Sequence, residues 1–327
     1  MKCTFIIPYF GKLPNYFSVF LKSCGSNQGY KWVIFTDDQT PYEYPSNVEP
    51  VFMTFKEMKT YIQSKFDFEI RIDEPHKLCD YKPAYGYIFE EYLKDSDYWG
   101  HCDIDLVLGN LDRFLQGLFE KSYDKLFCLG HMILYKNSRE NNRMFMKPVN
   151  GEYWYKESFS TNITTVFDEM GCGSKNINEI FNFYKKKIYM KDLSMNCSVV
   201  PSRLVKVTYN EDSDTFITEK KKDALYLWDK GNLYRLYIND KTKCLQREDF
   251  LYIHLQLRQM KVDPKVIKCS KIKIMENVFR PLEDNICTED NININQFKRI
   301  KRHVISFRYI KMQVKWKKAK MVKLFKR

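Results

Sequence analysis

The 327-residue chain has no run of about 18 or more apolar residues, so no transmembrane helix is predicted. Its opening, Met1-Lys2-Cys3-Thr4-Phe5-Ile6-Ile7-Pro8, is too short an apolar stretch for a signal peptide and reads as the first strand of a domain. The ten cysteines include no Cys-x-x-Cys pair and no Cys/His cluster at zinc spacing. With no export signal, they read as reduced thiols in the cytoplasm. No internal repeat is found. Acidic residues are absent after Asp290, whereas Lys298 to Arg327 carries 13 Lys/Arg. The formal net charge of the whole chain is also +13. The body is therefore near neutral, and a partner for the excess charge need only concern the tail.

What is present is aromatic and strongly patterned, with 23 Tyr and 24 Phe, enough to bury a sizeable core. Residues 2–10 read as a buried strand. An apolar helical pattern follows (Tyr16, Phe17, Phe20, Leu21), with Gly25 as its stop. A second strand, Lys31–Phe35, ends in Thr36-Asp37-Asp38, and a third, Val51–Phe55, precedes a helix over 56–65. Strand and helix thus alternate over the first 70 residues, as in a parallel α/β sheet. A helix is predicted over Gly86–Leu93 and another over Asn110–Phe119. Residues 137–165 are polar, aromatic and irregular, the pattern of a variable binding loop. Short strands dominate 186–240. The run Leu251-Tyr252-Ile253-His254-Leu255-Gln256 is apolar with one histidine in it, and a linker with Pro264 and Pro281 comes after.

The chain is organised around Tyr98-Trp99-Gly100-His101-Cys102-Asp103-Ile104-Asp105-Leu106-Val107-Leu108-Gly109. In extended backbone, residues i and i+2 share a face, so Asp103 and Asp105 project together, about 7 Å apart at Cα. Two carboxylates that close repel unless a positive charge joins them. A divalent cation carrying a phosphate-bearing substrate is the usual relief, because hard cations prefer oxygen ligands. Two solvated acids at a turn are the plain alternative. In open α/β sheets, ligands bind beyond the carboxyl ends of strands. Pro8-Tyr9-Phe10, Asp37-Asp38 and Asp103/Asp105 all fall at such ends.

With these features in this order, the chain resembles the GT-A-fold glycosyltransferases, which use nucleotide-diphospho-sugar donors. It resembles more closely an uncharacterised bacterial family associated with surface polysaccharide (capsule or O-antigen) synthesis. The residues that carry the resemblance are Ile7–Pro14, Phe35–Asp38, Lys77–Pro83, Trp99–Asp105 and Tyr252–Gln256. It covers roughly residues 1–260. The resemblance implies a GT-A-like (Rossmann-like) α/β fold: a mixed, mainly parallel sheet flanked by helices. The expected organisation is a catalytic domain over 1–260, a linker over 261–290 and a basic amphipathic helical tail over 291–327.

It also implies a site. Asp105 is the main ligand of Mn²⁺ or Mg²⁺; Asp103 binds the metal directly, through water, or meets the ribose. His254 is the third ligand, or a satisfied core histidine. Pro8, Tyr9 and Phe10 hold the base and ribose of the donor, a UDP-sugar foremost. Asp37 and Asp38 read a base imide or ribose hydroxyl, or form an Asx turn. Lys82 meets a phosphate or donor-sugar hydroxyl as a point charge, and Asp80 orients Lys82 or binds the sugar. His101 shares the face of Asp103, lining the site or serving the core. Asp168 and Glu169 stand where an inverting enzyme keeps the base that takes the acceptor proton; a retaining enzyme needs none. The acceptor implied is a glycan or lipid-linked glycan. A non-catalytic nucleotide- or glycan-binding protein of the same fold is the alternative function.

In the tail, Phe297, Ile300, Val304, Phe307, Ile310, Val314 and Met321 form a helical stripe flanked by cations, with Trp316 and Phe325 suited to a lipid interface. Such a helix lies on an anionic membrane. The expected location is cytoplasmic, peripheral on the inner face of the cell membrane. Nucleic acid is not expected as a partner, because the body is neutral and no binding motif for it occurs.

Overall fold

A computed structural model describes residues 1–170, 175–239, 241–256, 258–282 and 310–314. The chain up to Asn196 contributes strands β1 (Cys3–Pro8), β2 (Tyr30–Thr36), β3 (Val48–Phe52), β4 (Tyr98–Cys102), β5 (Leu106–Leu108), β6 (Lys125–Leu126), β7 (Met132–Lys136), β8 (Ile188–Tyr189) and β9 (Met195–Asn196). Seven of these form one sheet in the order β3-β2-β1-β4-β7-β6-β8. Its pairings β2–β3, β1–β2, β1–β4 and β6–β8 are parallel; β4–β7 and β6–β7 are antiparallel. This is the mixed, mainly parallel sheet expected.

The central strands are nearly continuous apolar runs because both faces are covered. Phe5, Ile7, Trp32 and Ile34 point into one core, against the helix Phe17–Gly25 and the helix Leu111–Glu120. Ile6, Val33 and Phe35 point into the other, against Met58 and Ile62 of the helix Phe55–Gln63. Helix starts follow local chemistry. Thr54 and Glu57 form a reciprocal capping box, and Asn110 accepts a hydrogen bond from the Arg113 amide.

The second half builds β10 (Val207–Asn210), β11 (Thr215–Thr218), β12 (Ala224–Asp229), β13 (Asn232–Ile238), β14 (Leu245–Asp249), β15 (Tyr252–His254), β16 (Lys261–Val262), β17 (Lys271–Ile274) and β18 (Val278–Pro281). A six-stranded sheet runs β14-β13-β12-β17-β18-β16. Residues 261–282 are therefore not the linker expected. Ile272 and Ile274 alternate inward along β17. With Met260, Val266 and Phe279 they share a core with Val19, Val107 and Ile253. Pro264 and Pro281 made the segment read as a linker, whereas Pro264 opens a 3-10 turn and Pro281 ends β18. Residues 283–290 and the predicted tail lie outside the described residues, apart from one helical turn at 310–314.

Two other expectations change. In place of a helix over 86–93 there is a 3-10 segment Pro75–Ala84, a single α turn Tyr85–Ile88 and a second 3-10 turn Glu90–Leu93. Pro83 lacks an N–H and interrupts regular helix. Residues 137–165 are not an open loop. Phe145 and Phe159 are fully buried there, and Phe159 stacks on Tyr81 with ring centroids 3.9 Å apart.

Gly86 lies against the indole of Trp99, which itself stacks on Tyr135 and donates to Asn142. A Cβ at position 86 would stand 2.3 Å from that indole. Gly86→Ala is thus expected to destabilise by about 3 kcal/mol, the upper range for overpacking. Urea unfolding would show a lower midpoint at an unchanged m-value.

Candidate functional site

Strand β4 belongs to the seven-stranded sheet, whereas β5 pairs with β15 and, through it, with β9 in a separate three-stranded sheet. Asp103-Ile104-Asp105 is the crossing between them. The Asp103 amide donates to the His131 carbonyl at 3.0 Å, and the Leu255 amide donates to the Asp105 carbonyl at 3.0 Å. Ile104 is buried in the first core, and the two flanking carboxylates turn away from it. The shared face predicted for Asp103 and Asp105 is present, in a crossing between sheets rather than at a simple strand end.

The antiparallel register of β15 on β5 sets His254 opposite Leu106, which carries the imidazole to Asp105, with Nε2 3.3 Å from Oδ1. Parallel pairing with β9 sets His254 beside Asn196, whose Oδ1 lies 3.2 Å from Nδ1. With Nδ1–H donating to Asn196, Nε2 is the nitrogen turned toward Asp105, to which it donates when protonated and from which its lone pair can serve a cation when neutral. Burial pushes the His254 pKa down, but the Asp105 charge outweighs it and the net shift is upward. Ligand atoms of Asp103, Asp105 and His254 all lie within 4.8 Å of one another. Two carboxylates and an oriented imidazole are a donor set suited to Mg²⁺ or Mn²⁺.

A second cluster, Cys79, Asp80 and Asp168, is as tight but does not suit a cation. Burial holds the Cys79 thiol protonated, and the oxygens of Asp80 are already committed. Asp80 is fully buried. It pairs with Lys77 at 2.6 Å and accepts from the amides of Thr165 at 2.9 Å and Phe167 at 3.0 Å. It neither orients Lys82 nor reaches a ligand, contrary to expectation. Its role is to clamp the segment leading to Asp168, where Val166 is held at φ 58°, a backbone region that β-branched residues rarely adopt.

A cleft of about 470 Å³ opens over the crossing. Pro8, Tyr9 and Phe10 line one wall, Lys82 and Tyr85 another, and Asp103 and Asp105 the floor. Phe10 is largely core, packed on Phe55. Asp37 and Asp38 are not among the lining residues described. Asp37 accepts from the Gly11 amide at 2.7 Å and Asp38 from the Leu13 amide at 2.9 Å. Asp38 also accepts from Thr40, as in an Asx turn. Both brace the loop that carries Tyr9.

The Lys82 ammonium donates to Asp103 Oδ1 and to the Gly130 carbonyl, each at 2.8 Å, and lies 3.4 Å from Asp168 Oδ2. Burial works against ionisation of Asp103, yet Lys82 brings its pKa down to about 2. Asp168 is more deeply buried, and desolvation pushes it up to about 7 against the pull of Lys82. Glu169 accepts from the Gly130 amide at 3.0 Å. Asp168 and Glu169 therefore stand behind Lys82, outside the described lining of the cleft.

Sequence reasoning missed several residues. Asn196 orients His254 through a strand pairing that no local pattern discloses. Gln256 lines the cleft in a left-handed conformation, φ 58°, and donates to Asn196 at 2.7 Å. Arg258 also lines it, its guanidinium held by the carbonyls of Leu255, Ser198, Val200 and Arg203. Its position just beyond Tyr252–Gln256 was the available signal. His101 is buried in the cleft wall with neither ring nitrogen partnered, and burial keeps it neutral.

Asp80→Asn tests the clamp. It leaves the Lys77 ammonium buried without a counter-charge, so a loss of about 3–5 kcal/mol is expected. Thermal or urea unfolding would register that loss, and hydrogen exchange would rise first at the amides of Thr165 and Phe167.

Among solved structures, the chain is similar to the galactosyltransferase LgtC in complex with donor and acceptor sugar analogs, at 10% identity over 62% of this chain and 77% of that one, with a TM-score of 0.32. It is similar to mouse xyloside xylosyltransferase 1 in its apo form, at 6% identity over 61% and 89%, with a TM-score of 0.36. A third likeness is to the glycosyltransferase GlyE in Streptococcus pneumoniae TIGR4, at 12% identity over 60% and 46%, with a TM-score of 0.30. No curated protein matches the sequence. The model of a family of unknown function (DUF6625) matches residues 5–283, and the chain belongs to that family.

Proposed function

We propose that this chain is a metal-dependent glycosyltransferase that moves a sugar, of the hexosyl class, from a nucleotide-diphospho-sugar to a glycan or lipid-linked glycan. The donor read first is a UDP-sugar, the metal Mn²⁺ or Mg²⁺, and the process surface polysaccharide synthesis. The observation that carries the reading is the convergence of Asp103, Asp105 and His254, with the two acids on the floor of a cleft walled by Pro8, Tyr9 and Phe10 and the buried His254 behind Asp105. Residues about 150 apart in sequence meet there only because β15 pairs with β5.

In the reaction, an acceptor oxygen bonds to the anomeric carbon as the bond from that carbon to the diphosphate breaks. The electron pair leaves with the diphosphate, and the acceptor's proton goes to the departing phosphate oxygen or to solvent. A divalent cation, when bound, supplies the charge that steadies this leaving group; Asp103, Asp105 and His254 would hold it. Tyr9 offers an aromatic face to the base, and its phenol donates to the Lys12 carbonyl at 3.3 Å, which holds the ring at the rim. Lys82 is the cation placed nearest the floor. The basic segment 291–327 holds the enzyme to the anionic inner face of the cell membrane, where a lipid-linked acceptor is presented.

Asp105→Asn removes a carboxylate from the floor without changing volume. It is expected to lower sugar transfer by about a hundredfold or more, the size of one strong transition-state contact. It should also abolish the rise in Tm that UDP produces in the presence of Mn²⁺. A screen of nucleoside diphosphates by thermal shift, with turnover of the matching nucleotide sugars, checks both. If no nucleoside diphosphate raises Tm with Mn²⁺ present, the reading is wrong. Binding with no turnover of any nucleotide sugar assigns the chain to the non-catalytic binders instead.

A further inference from the structure

We propose that Lys82 is the cation that balances Asp103 before a metal arrives, and that its release from Asp103 makes binding of a divalent metal and of a diphosphate mutually dependent. The inference rests on the metal-and-donor reading above and concerns how the two ligands arrive.

An ammonium has three N–H donors. Those of Lys82 face three acceptors: Asp103 Oδ1 at 2.8 Å, the Gly130 carbonyl at 2.8 Å and Asp168 Oδ2 at 3.4 Å. Two of the three donors are hydrogen-bonded, to Asp103 and Gly130, and the third faces the Asp168 carboxylate as an ion pair. Lys82, expected to meet a phosphate or donor-sugar hydroxyl, is held within the protein by Asp103 and Gly130. One of its partners, Asp103, also belongs to the group suited to a cation. Metal and ammonium compete for that carboxylate.

The three partners differ in how readily they let go. The Asp168 side chain is 5% exposed and that of Asp103 34%. Gly130 is fixed from its other side, its amide donating to Glu169. A Cβ at this position would lie 2.6 Å from Asp168 Oδ2, so glycine lets that carboxylate rest against the backbone. The Asp168 and Gly130 contacts therefore form a deep socket, and the Asp103 contact is the outer one, facing the cleft. A lysine is a flexible point charge that can pivot on two retained contacts, which a planar guanidinium cannot do as easily. When a cation takes Asp103, the freed N–H turns toward the one anion newly present, a diphosphate oxygen.

Metal alone must displace the ammonium and leave a donor unpaired in a partly buried site. A diphosphate alone meets two carboxylates and a lysine with nothing to offer. Together they satisfy every group. Each ligand must raise the affinity for the other by the same factor.

The test measures the Mn²⁺ affinity of the full chain and of Lys82→Met, each without and with saturating UDP. In the native protein, UDP should tighten Mn²⁺ binding by about tenfold or more, within the usual range for coupled sites. In Lys82→Met, Mn²⁺ alone should bind about tenfold tighter than in the native protein, and the tightening by UDP should shrink by a similar factor, to what direct attraction between cation and diphosphate supplies. If Lys82→Met binds Mn²⁺ alone no tighter, or keeps the full tightening by UDP, the proposal is overturned while the glycosyltransferase reading stands. If neither protein binds Mn²⁺ with or without UDP, both fall. Because the variant leaves Asp168 without its counter-charge, a second measurement uses the native chain. Acylation of lysines followed by mass spectrometry should find Lys82 protected in metal-free protein, labelled with Mn²⁺ alone, and protected again with Mn²⁺ and UDP. Equal labelling in all three states also overturns it.

Discussion

Everything at the site depends on the chain changing sheets within three residues. β4 is locked between β1 and β7, and β5 is locked against β15. Asp103-Ile104-Asp105 has no freedom left between them. Ile104 goes into the core because it is the apolar member of the three, and the carboxylates are turned out together as a result. Two backbone hydrogen bonds, from the Asp103 amide and to the Asp105 carbonyl, tie the crossing to β7's approach and to β15's end. The geometry of the acids is thus an outcome of sheet pairing, which is stiffer than any loop could be. A constellation built on strands keeps its spacing before a ligand arrives, and this limits the reorganisation that binding must cover.

Repulsion between the acids is handled pairwise. Asp103 has Lys82, and Asp105 has His254. Lys77 and Lys82, five positions apart on the same 3-10 segment, show how position decides the fate of one residue type. Lys77 points inward, where Asp80 and the Ser158 and Ile163 carbonyls immobilise it. Lys82 points to the cleft, with one of its three contacts made to a partly exposed acid. The first is architecture; the second is chemistry held in reserve.

Legibility in the sequence tracked how local the determinant was. The alternation of β1 and β2, the capping residues and the Asp-x-Asp pair are all short-range signals and were readable. His254 was readable only through resemblance, because nothing within β15 says that its partner is Asp105. Asn196 was not readable at all, since its function exists only through the β9–β15 pairing. Asp80 misled for a physical reason: an acid near a lysine and a proline reads as surface, and only the tertiary fold reveals two amides waiting for its oxygens. Residues 137–165 misled for the opposite reason. Polar residues between the aromatics hid that Phe145 and Phe159 close one face of the sheet.

The strands after residue 260 set the length of the smallest piece that can act on its own. Ile272, Ile274 and Phe279 back the same core as Ile253, and Ile253 precedes His254 in the strand that carries it to Asp105. Expression boundaries drawn at residue 260 would strip the backing from β15 and loosen the imidazole from a distance. This folded body runs through Pro281, so a natural variant lacking β17 and β18 would lose the spacing of Asp103, Asp105 and His254 without losing any of the three.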